Sequence, residues 1–181
     1  MVVLLMSMEI SSMTKPKVYI ETSTISFLTA RPSEKPIIRA KQLLTQQWWA
    51  CIDQFEPYVS DSVENEIKRG DPFAAQLRAE AISDIPRLHF NETVERLAVA
   101  ILRVGAIPER VDEDAYHIAF AAAYGMDFLV TWNQKHIATP AKQFLIREVI
   151  LSCGCHFPQL LTPENHLLMM DEDLLLGDEL T

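Results

Sequence analysis

Five short apolar runs, VYI at 18–20, PYVS at 57–60, IPRLHF at 85–90, DFLVT at 127–131 and PQLL at 158–161, alternate along the chain with stretches whose apolar residues recur at helical spacing. A run of four or five residues with hardly a polar position is a strand covered on both faces. Strands joined through helices must run parallel, because a crossover of that length returns the chain to the same edge. The pattern therefore predicts an α/β domain of three layers, α/β/α, with a central parallel sheet covered by helices on both faces.

The intervening segments carry helix signals. Residues 31–55 place Ile37, Ile38, Leu43, Leu44, Trp48 and Ile52 at helical spacing, with Ser33 as a cap. Ser60 or Asp61 caps the next helix, which Gly70 stops with Pro72 just beyond, and residues 73–83 continue as a helix. Asn91 caps a segment ending at Gly105; Pro108 opens one that closes at Gly125, with Val111, Ala115, Ile118, Ala119 and Ala122 on one face. A helix over 141–154 follows the fourth strand, and Thr162 with Pro163 caps a final helical turn. Pro86 suits its strand to a sheet edge.

With 181 residues, 49% of them hydrophobic, the chain can bury a single sizeable core. Residues 13–170 are expected to form that one domain, residues 171–181 an acidic tail, and residues 1–12 a dispensable leader, since Met13 begins a polar start that runs straight into the first strand. The opening MVVLLMSM lacks a basic flank and is too short to span a bilayer, so no membrane association is expected. Cys51, Cys153 and Cys155 cannot all pair with one another, which points to free thiols and a cytoplasmic location. The CGCH at 153–156 lacks the second ligand pair of a zinc site.

A net charge of −9, from 25 acids and 16 bases, excludes a broad basic footprint on nucleic acid but not a local one, because a bound cation supplies positive charge where a phosphate sits. In a doubly wound sheet ligands bind beyond the carboxyl ends of the strands, where the winding reverses. Glu21 ends the first strand, Glu66 lies shortly after the second, Asp114 opens the alanine-rich helix and Asn133 follows the fourth strand by two residues. Each has a plain structural role available: Glu21 as a cap, Glu66 as a solvated acid beside Lys68 and Arg69, Asp114 as a partner for the helix dipole, Asn133 as a turn residue. His117, one turn after Asp114, reads as packing between helix and sheet.

Three blocks in order resemble a known family. VYIETSTISFLTARPS from residue 18, VSDSVENEIKRGDP around Glu66, and DEDAYHIAFAAAYGMDFLVTWNQKHIA around Asp114 and Asn133 are similar to the PIN domain nucleases, and within them to the VapC-type toxins of type II toxin–antitoxin pairs. The likeness spans residues 17 to about 165. It implies the three-layer PIN fold and a metal-dependent endoribonuclease restrained by a cognate antitoxin, with Glu21, Glu66, Asp114 and Asn133 as catalytic residues. Glu21, Glu66 and Asp114 would ligate the metal, Mg²⁺ or Mn²⁺. Thr22, Ser23 and Thr131 would support them, Lys135 and His136 would reach phosphate, and pairing as a homodimer is common in the family. Oxygen ligands suit those hard cations.

Glu21 stands where the family usually has Asp, and Asn133 where many members have a fourth acid. These departures set up two further expectations. Mn²⁺, less strict in geometry than Mg²⁺, should serve better, and Glu21→Asp should raise cleavage or leave it unchanged. They also define an alternative, a PIN-fold binding or regulatory protein with weakened catalysis. A phosphoryl-accepting receiver-like domain ranks last, because ETSTI offers no second acid beside the first.

Overall fold

A computed structural model describes residues 14–137 and 140–178; the proposed leader lies outside them. Five strands, β1 (Lys17–Ile20), β2 (Glu56–Ser60), β3 (Arg87–Leu88), β4 (Phe128–Val130) and β5 (Gln159–Leu161), form one parallel sheet in the order β3-β2-β1-β4-β5. Among the described residues, eight α-helices connect and cover them in the three-layer arrangement the sequence predicts: α1 (Thr22–Thr29), α2 (Pro36–Trp49), α3 (Asp61–Ile67), α4 (Pro72–Ala81), α5 (Glu92–Arg103), α6 (Asp112–Ala123), α7 (Pro140–Ser152) and α8 (Pro163–Asp178).

The central strand is fully buried at Val18, Tyr19 and Ile20, as a strand with layers on both sides must be. The chain winds outward from β1 through β2 to β3, then returns to lay β4 and β5 on the other side. The winding thus reverses between β1 and β4, and their carboxyl ends open the crevice in which such folds bind ligands. Asp127 fixes the opposite end of these strands: its carboxylate accepts from Lys17 N at 2.8 Å, and its carbonyl from Gln159 N at 2.9 Å.

Helix starts follow the caps. Ser60 accepts from Val63 N, Asp71 from Ala74 N and Asn91 from Val94 N. Gly70 and Gly125 adopt positive φ where α3 and α6 give way to the following turns. β3 is a two-residue edge strand that begins directly after Pro86, consistent with a residue that has no N–H to offer a ladder.

Three local expectations need correction. Ser33 does not cap α2; Lys35 holds that position without a side-chain bond, and Ser33 N donates instead to Gln42, a polar residue drawn into the core because it also bonds Arg31 O. Of the apolar series proposed for α2, Ile37 and Leu43 are exposed and Trp48 alone is fully buried. The final helical turn is a helix of 16 residues running to Asp178, started by Thr162, whose hydroxyl accepts from Asn165 N. Among the described residues no helix is long and apolar enough to cross a membrane.

Candidate functional site

Two connected sets of side chains occupy the carboxyl edge of β1, β2 and β4. Glu21, Thr131, Asn133 and Asp114 are linked in turn by hydrogen bonds, and Glu66 is linked to His117, one turn along α6 from Asp114. The four residues singled out in the sequence thus lie in these two sets.

Glu21 is both a cap and a site residue. Its backbone leaves β1 with its N–H donating to Val130 O, and its side chain caps α1 by accepting from Ser23 N at 3.0 Å. The same oxygen, Oε2, accepts from the hydroxyls of Ser23 and Thr131, the latter at 2.7 Å. Each hydroxyl in turn accepts a backbone N–H of the loop after β4: Ser23 from Trp132 at 2.8 Å and Thr131 from Asn133 at 2.9 Å. The carboxylate, 6% exposed, is therefore held rigidly, with Oε1 the oxygen available to a ligand.

Glu66 projects from α3 and accepts from His117 Nε2 at 3.0 Å. Burial pushes its carboxyl up, but the hydrogen bond and charge of His117, joined by the Thr22 hydroxyl and the charge of Arg69, hold it below the usual range. His117 responds in the opposite sense: burial disfavours its charged form, yet the bond to Glu66 and the charges of Glu21, Glu66 and Asp114 raise its pKa. On the other ring nitrogen, Nδ1 meets Tyr19 Oη at 2.8 Å, and Tyr19 Oη meets Ser60 Oγ at 2.7 Å. Burial, with Glu21 and Glu66 nearby, pushes the Tyr19 phenol well above its ordinary value, so it stays neutral. The hydroxyl of Thr22 is buried beside Glu66 and helps hold that carboxylate in its charged form.

Asp114 stands in the first turn of α6 and is half-buried. Burial raises its pKa, although Asn133 Nδ2 donates to it at 2.8 Å and the two histidines, His117 and His136, oppose the rise. Asn133 uses its other amide atom to accept from His136 N at 3.1 Å, so both ends of its side chain are committed to the protein. Lys135 is exposed, and His136 is half-buried with Nδ1 buried and unpartnered.

Among the described residues, the donors that lie within 4.8 Å of one another are one carboxylate oxygen each from Glu21 and Glu66 and a ring nitrogen of His117. Carboxylates gathered this closely repel, and the charge of Glu21 adds a small part to the rise that burial gives the pKa of Asp114. A divalent cation would relieve it. The oxygen-rich set and the nearby Asp114 fit such an ion. His117 and Tyr19 have parts in the site that sequence reasoning did not give them. The only signal was that His117 follows Asp114 by three residues, which puts both on one helix face.

The sequence matches no family model and no curated protein. Among solved structures, it is similar to that of the VapC20 toxin of Mycobacterium tuberculosis, described as cleaving the sarcin-ricin loop; the likeness covers 66% of this chain and 92% of that one, at TM-score 0.48 and 15% identity.

Proposed function

We propose that this protein is a PIN-domain endoribonuclease of the VapC toxin type, dependent on Mg²⁺ or Mn²⁺ and restrained by a cognate antitoxin. The observation that carries the reading is the meeting of Glu21 and Glu66 with Asp114 alongside, contributed by β1, α3 and α6 at the point where the sheet reverses. Glu21, Glu66 and Asp114 would hold the ion. When bound, it supplies positive charge that polarises a phosphodiester and makes water acidic enough to attack.

The chain's own residues orient that site. Ser23 and Thr131 fix Glu21, His117 fixes Glu66, and Asn133 steers Asp114 while tying down the loop that carries Lys135 and His136. Those two residues would meet the phosphates of an RNA strand entering over the acids. With a net charge of −9, attraction to RNA would have to come from the ion and these few bases. The same acidic crevice would accept a basic segment of an antitoxin. The protein would act in the cytoplasm, and a homodimer is the assembly proposed.

The test is cleavage of single-stranded and stem-loop RNA by purified protein with Mn²⁺, with Mg²⁺ and with chelator, using Asp114→Asn as the control. Metal-dependent cleavage lost in Asp114→Asn supports the reading. One observation favours the alternative of a PIN-fold binding protein: Asn133 is saturated by Asp114 and His136 N and contributes no charge. RNA binding without cleavage under every metal would establish it.

A further inference from the structure

The imidazole of His117 lies within ligand distance of the two acids, yet neither of its nitrogens offers a lone pair to an ion. Nε2 faces a Glu66 oxygen at 3.0 Å and must carry a proton to make that bond, because an ionised carboxylate can only accept. Nδ1 faces the Tyr19 hydroxyl at 2.8 Å. In the neutral ring Nδ1 accepts from Tyr19, Tyr19 accepts from Ser60, and Ser60 accepts from Val63 N. In the charged ring Nδ1–H donates to Tyr19, which donates to Ser60. The chain of bonds closes in either protonation state. All three residues are at most 1% exposed and come from three separate elements: Tyr19 from β1, Ser60 from the end of β2, His117 from α6.

We propose that His117 is a positioning residue, not a metal ligand: anchored from behind by Tyr19 and Ser60, it presents Nε2–H to Glu66 and fixes the direction in which that carboxylate meets the cation. This rests on the metal-site reading above and deepens it, for it leaves the ion an oxygen-only shell. Partners of this kind, one bond removed from an ion, are worth about ten- to a hundredfold in metal affinity. The Tyr19 contact would set the ring's orientation and contribute a smaller share.

The experiment is Mn²⁺ binding to the whole protein by calorimetry, with pulsed electron paramagnetic resonance of the bound ion and thermal melting to confirm folding. His117→Leu should weaken Mn²⁺ binding about ten- to a hundredfold. His117→Gln, whose amide nitrogen can reach the Nε2 position, should recover most of it, and Tyr19→Phe should fall between His117→Leu and wild type. The wild-type spectrum should show no directly bonded ¹⁴N. A ¹⁴N ligand coupling that disappears in His117→Gln would overturn the proposal by making His117 a ligand. Unchanged affinity in a folded His117→Leu or Tyr19→Phe protein would overturn it as well. A wild type that binds no Mn²⁺ would remove the metal-site reading itself, and this inference with it.

Discussion

Ser23 and Thr131, 108 residues apart, give their hydroxyl hydrogens to one oxygen of Glu21, and each accepts a backbone N–H of the loop after β4. A carboxylate, a helix start and a loop are thereby bound into one unit. Thr131 is fully buried, so Thr131→Val keeps the shape while leaving the Asn133 N–H unpaired and Glu21 one donor short. The expected loss is about 1–3 kcal/mol of unfolding free energy, measured by urea denaturation. A loss below about 0.5 kcal/mol would place this bond among ordinary surface effects and sink the idea of a unit.

Asp114 makes a prediction about pH. Burial raises its folded pKa above the unfolded value of about 3.9, so the folded protein holds this proton more tightly than the unfolded chain. Its contribution is favourable at low pH and is lost as pH rises through the raised folded value. Asp114→Asn does not titrate and can still accept from Asn133 through its amide oxygen. Metal-free Asp114→Asn should therefore melt higher than wild type at pH 7, with the gap closing toward pH 4, while losing the stabilisation that Mn²⁺ gives the wild type. Coincident melting curves of the two proteins in chelator across that range would contradict the assignment.

How much of this was legible beforehand depends on the range of the interactions. β1, β2, β4 and β5 show as apolar runs, most plainly β1, whose Val18, Tyr19 and Ile20 are fully buried at the centre of the sheet, and Ser60 and Asn91 show as caps because a cap acts within three residues. Ser33 misled because its hydroxyl accepts from Lys35 N, before the helix begins, while Gln42 of the helix itself takes its N–H. Glu21, Glu66, Asp114 and Asn133 stood out as polar residues just past strands or opening helices. His117 did not, because a histidine inside an alanine-rich helix looks like core until Tyr19 and Glu66 are seen on either side of it.

His166 predicts a second, independent pH effect far from the acids. It is 1% exposed, its ring lies 4.7 Å from Phe55 and 4.3 Å from Phe128, and Nδ1 accepts from Trp48 Nε1 at 2.9 Å. Burial lowers its pKa to about 4. A histidine that must stay neutral in the fold contributes stability above its unfolded value of about 6.5, and that contribution is lost as pH falls toward 4. The full effect is on the order of 3 kcal/mol. His166→Asn keeps an acceptor for Trp48 and removes the titration, so its unfolding free energy should fall less steeply than that of wild type between pH 6.5 and 4. Equal slopes would show that His166 is free to charge in the folded state.

Glu21→Asp separates the family's habit from this chain's geometry. By resemblance alone, the usual Asp should serve as well or better. The bonding of Glu21 predicts otherwise. Asp is shorter by one methylene, about 1.5 Å, and β1 cannot slide to compensate, because Tyr19 and Ile20 are fully buried and Glu21 N is fixed to Val130 O. The shortened carboxylate can still cap α1 through Ser23 N, a task for which Asp is well suited. It cannot also reach Thr131, so the oxygen meant for an ion is drawn back and no longer steadied from β4. Folding stability should therefore fall by less than in Thr131→Val, because the Asn133 N–H keeps its acceptor, while Mn²⁺ affinity falls about tenfold or more and cleavage falls with it. Calorimetric titration of Mn²⁺ into the folded variant decides the matter: affinity equal to or above wild type would show that the site adapts to either acid, and that the contacts around Glu21 serve the helix start alone.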